Sequence, residues 1–308
     1  MKRDFLTLQN FSPAEITEIV TMAETLKKDR YTGEQKEIFG GRSAVLIFDK
    51  PSLRTKITFE TGIFELGGNA LSMAANTGRL GERESIEDMA KNLDRWVHLL
   101  VVRTFSHQAV EKLAQSAHIP VINALTDEYH PCQSIALGLT LREHFRGETI
   151  HMAYIGDGNN VCVSHMFYAA LTGHTITICT PPGYEPPKSA VEKAQSLCRQ
   201  SGGKIHLTTS PTQAVSHADL VYTDVWASMG QEDEAQDRNT IFAPYQVNAE
   251  LMKHAPDHAL FSHCLPAHRG DEVSADIIDS GRSIVFDEAE NRLHAHKSII
   301  TFLLEAHQ

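Results

Sequence analysis

Short apolar, β-branched runs recur along this chain between stretches of helical periodicity, and no other feature limits its possible folds as strongly. Runs of four to six such residues suit strands buried on both faces, and the helical stretches between them suit the crossovers that parallel strands require. In the first half the runs are 43–48, 70–73, 98–102 and 119–122, and in the second 150–155, 175–180, 204–207, 220–223, 260–263 and 283–286. The expected class is therefore α/β, with two doubly wound parallel-sheet domains joined by interdomain helices. Between the halves, 131–145 reads as a helix: Pro131 suits a first turn, and Ile135, Leu137, Leu139 and Leu141 stand among good helix formers. Expected boundaries are 1–146 for the first domain, 147–287 for the second and 288–308 for a C-terminal helix.

Bulk properties exclude several function classes. With 308 residues and 42% hydrophobic content, the chain can bury two cores of ordinary size. It has no apolar run of membrane-spanning length, and residues 1–5 lack the apolar segment of a secretory signal, so a cytosolic protein is expected. Five cysteines, an odd number without a C-x-x-C pair, fit reduced thiols better than a disulfide framework or structural zinc. A net charge of −11 without a long basic run argues against nucleic acid and anionic membranes as partners. The 17 histidines are scattered, and neither H-E-x-x-H nor a His/Cys quartet occurs, so no metal is expected.

In open α/β sheets ligands sit beyond the carboxyl ends of the strands, and the chemically rich residues of this chain fall there. Ser52, Leu53, Arg54 and Thr55 follow the first run and open a helix in which Phe59, Ile63 and Leu66 share a face before Gly67 and Gly68 stop it. First-turn amides have no intrahelical partners and sit at the positive end of the helix dipole, where a phosphate gains both hydrogen bonds and field. Ser52 and Thr55 would add hydroxyls, Arg54 a bidentate fork and Lys50 further positive charge. The P-loop pattern G-x-x-x-x-G-K-[ST] is absent, so a small phosphorylated molecule fits better than a nucleoside triphosphate. Taken alone, S-x-R-T more often describes an N-cap serine beside an exposed arginine. Arg103 follows four apolar residues and needs an anion or solvent, while His130 and Gln133 form a donor pair suited to polarising a carbonyl oxygen.

In the second half, Gly156 and Gly158 match the first two glycines of a dinucleotide fingerprint. Val161 occupies the third position and no acid follows the run ending near Cys179, which disfavours nicotinamide binding. Asn160 would present an amide at a helix start. Asp224 leaves a strand ahead of Ser228, Met229 and Gly230, and either pairs with a substrate ammonium or caps a helix. Cys264, within His263-Cys264-Leu265-Pro266, is either core packing or a thiol tuned by a nearby cation or substrate amine. A two-domain enzyme holding one substrate on each half is the economical account.

Taken together and in order, Ser52-Leu53-Arg54-Thr55, His130-Pro131-Cys132-Gln133, Asp224 through Gly230 and His263-Cys264-Leu265-Pro266 resemble the ornithine carbamoyltransferases. These form part of the aspartate/ornithine carbamoyltransferase superfamily, and the resemblance covers nearly the whole chain. It implies transfer of the carbamoyl group of carbamoyl phosphate to the δ-amine of L-ornithine, giving L-citrulline and phosphate in arginine metabolism, without a cofactor. It also implies a carbamoyl-phosphate domain, an ornithine domain, a final helix packing back on the first, and a homotrimer or an assembly of trimers. By matching position, the phosphate falls to Ser52, Leu53, Arg54 and Thr55, with Arg103 bridging phosphate and carbonyl. His130 and Gln133 would hold the carbamoyl group, and Cys264, Leu265 and Arg292 would complete that end. Ornithine falls to Asn160, Asp224, Ser228 and Met229, and the loop carrying the last two would close over it and exclude water. In the implied chemistry Arg54, Arg103 and His130 face growing oxygen charge, and Asp224 and Cys264 orient the amine.

One residue departs from the pattern: Arg79 stands where relatives commonly have glutamine, in a loop that in the family reaches a neighbouring subunit's site. It either adds positive charge to the phosphate pocket or is an exposed loop residue. The rival readings are a carbamoyltransferase for putrescine, aspartate or an acylated ornithine, a nicotinamide-dependent oxidoreductase of similar architecture, and a catalytically silent binding protein. An aspartate enzyme needs cations for a second carboxylate, and in that family a proline- and arginine-bearing segment replaces 263–266. A silent protein would retain Arg54, Arg103, His130, Asp224 and Cys264 together only by coincidence.

Overall fold

The computed structural model describes residues 2–73, 80–227 and 235–306. The chain divides into two compact units, one of residues 1–139 with 290–308 and the other of residues 140–289.

The first unit is built on a four-stranded parallel sheet of β1 (Ser43–Phe48), β2 (Asn69–Ser72), β3 (Leu99–Arg103) and β4 (Val121–Leu125), in the order β2-β1-β3-β4. Its helices are α1 (Pro13–Thr32), α2 (Leu53–Glu65), α3 (Ile86–Leu93), α4 (His107–Ser116) and the start of α5 (Pro131–Phe145). The second unit holds a five-stranded parallel sheet of β5 (His151–Ile155), β6 (Thr175–Cys179), β7 (Lys204–Thr208), β8 (Leu220–Thr223) and β9 (Leu260–His263), in the order β7-β6-β5-β8-β9. Around it lie α6 (Asn160–Thr172), α7 (Lys188–Ser201), α8 (Pro211–Val215), α9 (Ala235–Phe242), α10 (Ala249–Met252) and α11 (Ala275–Ile278). Last comes α12 (Val285–Glu305), most of which belongs to the first unit.

The inner strands β3 and β8 are buried along their whole length, whereas β2 and β7, each at one edge of its sheet, carry exposed polar residues such as Asn69, Ser72 and Lys204. Each sheet reverses direction once. From β1 the chain next builds β2 on one side and then crosses to β3 on the other, and from β5 it builds β6 and β7 before crossing to β8. The crevices between β1 and β3 and between β5 and β8 are therefore switch points, where neighbouring loops leave in opposite directions and open a space for a ligand.

Several expected elements shift. Strand β4 starts at Val121, after Pro120, which has no amide hydrogen to donate. β3 extends to include Arg103. The run 283–286 is not a strand: Ser283 makes a single bridge to Phe261, and α12 begins at Val285 with Asp287 and Glu288 in its first turn, where the helix dipole favours acids. Within the first unit, α12 is fastened by polar contacts despite its burial: Lys27 donates to Asn291 at 2.8 Å, and Lys297 donates to Glu65 at 2.9 Å. No helix among the described residues is long and apolar enough to cross a membrane.

Candidate functional site

In the first unit, Phe48, Arg103 and Leu125 are register partners at the carboxyl ends of β1, β3 and β4, so three loops leave from one line. The pairing of β3 with β4 slips by one residue at Val102/Arg103, an irregularity of the kind that re-aims a side chain beside a site. Ser52 holds the N-cap position of α2 without making a side-chain capping bond. The first-turn amides of Leu53, Arg54 and Thr55 thus receive no capping oxygen from Ser52. The Leu53 side chain is 69% exposed, so that residue can offer a ligand only its backbone.

Two guanidinium groups converge on the fully buried Thr55. Arg292 donates to its hydroxyl at 2.5 Å and Arg103 at 3.4 Å, and both arginines are themselves buried. The shared contact with one hydroxyl holds the two guanidinium groups side by side at the start of α2. Lys50 contributes less than its position suggests: it pairs with Asp127 and lies 4.2 Å from the centre of the Phe105 ring. Asp49 ties the strand ends together, accepting from the Thr104 hydroxyl at 2.5 Å and the Leu80 amide at 3.1 Å. His130 and Gln133, both buried, sit at the start of α5. Between them Cys132 packs inward, and burial pushes its thiol up to about 12 although Arg292 opposes the shift, so it stays protonated and inert.

The second unit repeats the arrangement with opposite charge. Ile155, Thr223 and His263 are register partners, so Gly156, Asp224 and Cys264 are the first residues beyond three adjacent strands. Gly156 has φ +139, a conformation that favours glycine, and a Cβ on Gly158 would stand 2.3 Å from the Pro186 nitrogen. Gly158 thus serves packing against the 184–186 backbone rather than the approach of a pyrophosphate.

Asp224 is the centre of this site. Its buried carboxylate accepts from the Cys264 thiol at 2.8 Å and from the Asn159 amide at 2.8 Å. The Asn159 orientation is settled by its other end, where Oδ1 caps α6 by accepting from the amides of Val161 and Cys162 at 3.0 and 3.1 Å. Tyr154 also donates to that oxygen at 3.2 Å, and burial, with the Asp224 charge second, holds its hydroxyl protonated far above the usual range. The neighbour of Cys264 is therefore an acid rather than a cation. Cys264 itself is followed by Leu265 at φ +55 and a cis Leu265-Pro266 bond. The Leu265 amide donates to His263 Nδ1 at 2.8 Å, which leaves His263 Nε2 as the donor to buried Glu272 at 3.1 Å. On the other side of Asp224, buried Arg238 donates to the Trp226 carbonyl at 2.7 Å and pairs with Asp157, whose carboxyl burial raises against the pull of that arginine.

Among residues singled out from sequence, Thr55, Arg103 and Arg292 are thus brought together, as are Asp224 and Cys264. Arg79, Ser228 and Met229 lie outside the described residues. Asn160 opens α6, but its neighbour Asn159 is the residue that holds Asp224. Asn159, Asp49, Arg238 and Glu272 were not foreseen. Only Asn159 carried a usable signal, an asparagine immediately before a helix.

Comparison with known proteins also divides the chain in the middle of its length, although the second match runs on through most of α12. Residues 3–143 match a family model described as the carbamoyl-P binding domain of aspartate/ornithine carbamoyltransferase, and residues 148–303 match the Asp/Orn binding domain. An ornithine carbamoyltransferase from Carboxydothermus hydrogenoformans is 48% identical over 305 residues, covering 98% of this chain and 97% of its own length. Among solved structures, the ornithine carbamoyltransferase of Pyrococcus furiosus superposes with TM-score 0.95 at 43% identity, covering 99% of this chain and 97% of that one. The anabolic enzyme of Campylobacter jejuni superposes with TM-score 0.94 at 36% identity, covering 99% of this chain and 100% of that one.

Proposed function

The chain belongs to the aspartate/ornithine carbamoyltransferase family, and we propose from that premise how its residues divide the chemistry. The reaction is transfer of the carbamoyl group from carbamoyl phosphate to the δ-amine of L-ornithine, yielding L-citrulline and phosphate. The observation that carries the choice of acceptor is Asp224 held between the Cys264 thiol and the Asn159 amide. That set offers an acid to a substrate ammonium, where aspartate would need a cation for its second carboxylate.

Carbamoyl phosphate is assigned to the first unit. Its phosphate lies against Ser52, Thr55 and the amides of Leu53, Arg54 and Thr55, with Arg54, Arg103 and Arg292 as cations. His130 and Gln133 donate to the carbamoyl group. Cys264 and Leu265 are assigned to the same group from the second unit. Asp224 receives the ornithine ammonium beside Asn160, with Ser228 and Met229 completing the ornithine set. The neutral δ-amine attacks the carbonyl carbon, the C–N bond forms, negative charge gathers on the carbonyl oxygen, and the C–O bond to phosphate breaks. Arg54, Arg103 and His130 stabilise that charge and the departing phosphate, the amine proton leaves to solvent or phosphate, and no covalent enzyme intermediate is needed. Arg79 is assigned to a neighbouring subunit's phosphate pocket. Assembly as a trimer is supported by Leu53, Ile57 and Phe64, exposed apolar residues falling on one stripe of α2. A cytosolic setting is supported by five free cysteines.

Mixing the purified protein with carbamoyl phosphate and each amine tests the reading. Citrulline should form with ornithine. Turnover of putrescine or aspartate without citrulline formation from ornithine overturns it.

A further inference from the structure

The two residues that meet at the ornithine end, Asp224 and Cys264, leave adjacent strands, and something must fix how those strand ends face each other. The ladder pairs Tyr222 with Ser262, each two residues before its site residue and, by strand alternation, on the same face. One carboxyl group spans that pair: Tyr222 Oη donates to Glu288 Oε1 at 2.9 Å, and Ser262 Oγ donates to Glu288 Oε2 at 2.5 Å. All three side chains are buried, Glu288 completely.

We infer that Glu288 is a positioning residue that clamps β8 and β9 and thereby sets the thiol-to-carboxylate geometry of Cys264 and Asp224. A buried carboxyl is a costly way to fill space that an apolar side chain would fill more favourably. Its two oxygens reach the one cross-strand pair lying directly behind the two site residues, which no packing requirement demands. Burial and the adjacent Glu288 hold the Tyr222 hydroxyl protonated, so it remains a donor across the working pH range. The consequence is leverage: a misplacement of about 1 Å at reacting groups costs on the order of 10²-fold in rate.

The inference rests on the ornithine reading of the Asp224 end, and one kinetic series separates the two. Tyr222→Phe and Ser262→Ala each remove one arm of the clamp with little change in volume, and Glu288→Ala removes both. Glu288→Gln keeps an acceptor for one hydroxyl and supplies an amide donor to the other. The double variant Tyr222→Phe with Ser262→Ala is expected to lose about 10-fold or more in kcat/KM for ornithine, chiefly in kcat, with KM for carbamoyl phosphate within twofold of wild type. Glu288→Gln should recover most of what Glu288→Ala loses, and if Glu288→Ala fails to fold the double variant still decides. Folded variants with ornithine kinetics within twofold of wild type overturn the clamp. So does a loss in which melting temperature and both KM values move together, as a purely structural role would give. Absence of citrulline from the wild type overturns the parent reading, whereas citrulline from the wild type with indifferent variants overturns only the clamp.

Discussion

Asn159 has two duties that a single substitution can separate. Its Oδ1 caps α6 and its Nδ2 supports Asp224 at 2.8 Å. Serine caps a helix about as well as asparagine, but its side chain is too short to reach Asp224 while capping. Asn159→Ser should therefore leave the helix in place and remove one hydrogen bond to a buried carboxylate. Such charge-assisted bonds contribute about 1.5–3 kcal/mol. At about 1.4 kcal/mol per decade, a loss of this size expressed in ornithine capture is roughly a 10- to 150-fold fall in kcat/KM. Carbamoyl phosphate, whose phosphate is assigned to the other unit, should keep its KM. The assay is steady-state citrulline formation with each substrate varied in turn, beside a thermal melt. If the variant folds and its ornithine kcat/KM stays within twofold of wild type, Asn159 does not hold Asp224 in its working position. A parallel rise in both KM values would locate the effect in the fold instead.

In the phosphate half, Thr55→Val removes the hydroxyl on which Arg103 and Arg292 converge, and kcat/KM for carbamoyl phosphate should fall roughly 10-fold or more while the ornithine KM holds. Unchanged carbamoyl phosphate kinetics would refute that role. Phe64→Asp places a charge on the exposed stripe of α2, where Phe64 is 78% exposed, and sedimentation should show a smaller species. A wild-type sedimentation profile would exclude that stripe from the interface. Buried His294, whose ring nitrogens make no hydrogen bond among the described residues, is pushed from 6.5 to about 4 by burial, aided by Lys27 and Lys297 against the pull of Glu290. Because the unfolded chain then binds the proton first, stability falls as pH drops from 6.5 to about 4. At pH 5 the cost is about 2 kcal/mol, which His294→Leu should remove from the difference between denaturant titrations at pH 8 and pH 5.

The sequence made strands legible where burial on both faces forces an unbroken apolar run. Residues 43–48, 220–223 and 260–263 coincide with β1, β8 and β9, and 131–145 with α5. It misled at 283–286, because an apolar run of that length does not distinguish a strand from a helix entry, and the first-turn acids decide for the helix. Strand order was not legible at all, since no local pattern encodes which earlier strand a new one joins. Yet order places Arg103 beside the loop after β1, and Asp224 beside the loop after β5. Contacts between distant residues lie beyond local pattern for the same reason: the family resemblance alone put Arg292 with Thr55, 237 positions away, and the reach of Asn159 to Asp224 across 65 was not foreseen. Lys50 misled differently. Its charge is visible in sequence, but its partner Asp127 is not.

Opposite charge in the two half-sites has a consequence for specificity that attraction alone would not give. The net charge of −11 disfavours a phosphorylated substrate over the surface at large, so capture depends on a place where cations such as Arg103 and Arg292 are gathered. The same phosphate at the other half would meet Asp224, with its thiol and amide already directed at the carboxylate. Ornithine faces the reverse problem, since its ammonium is drawn to Asp224 and repelled by Arg103 and Arg292. Each half therefore disfavours the other substrate's charged group, the phosphate at Asp224 and the ammonium at the arginines, which is discrimination by built-in repulsion. On this argument, replacing Arg103 by a neutral residue should do more than weaken carbamoyl phosphate. It should also remove the barrier to ornithine on the phosphate side, so that excess ornithine inhibits the variant competitively with carbamoyl phosphate. If ornithine at high concentration inhibits wild type and Arg103→Met alike, repulsion is not part of the selection.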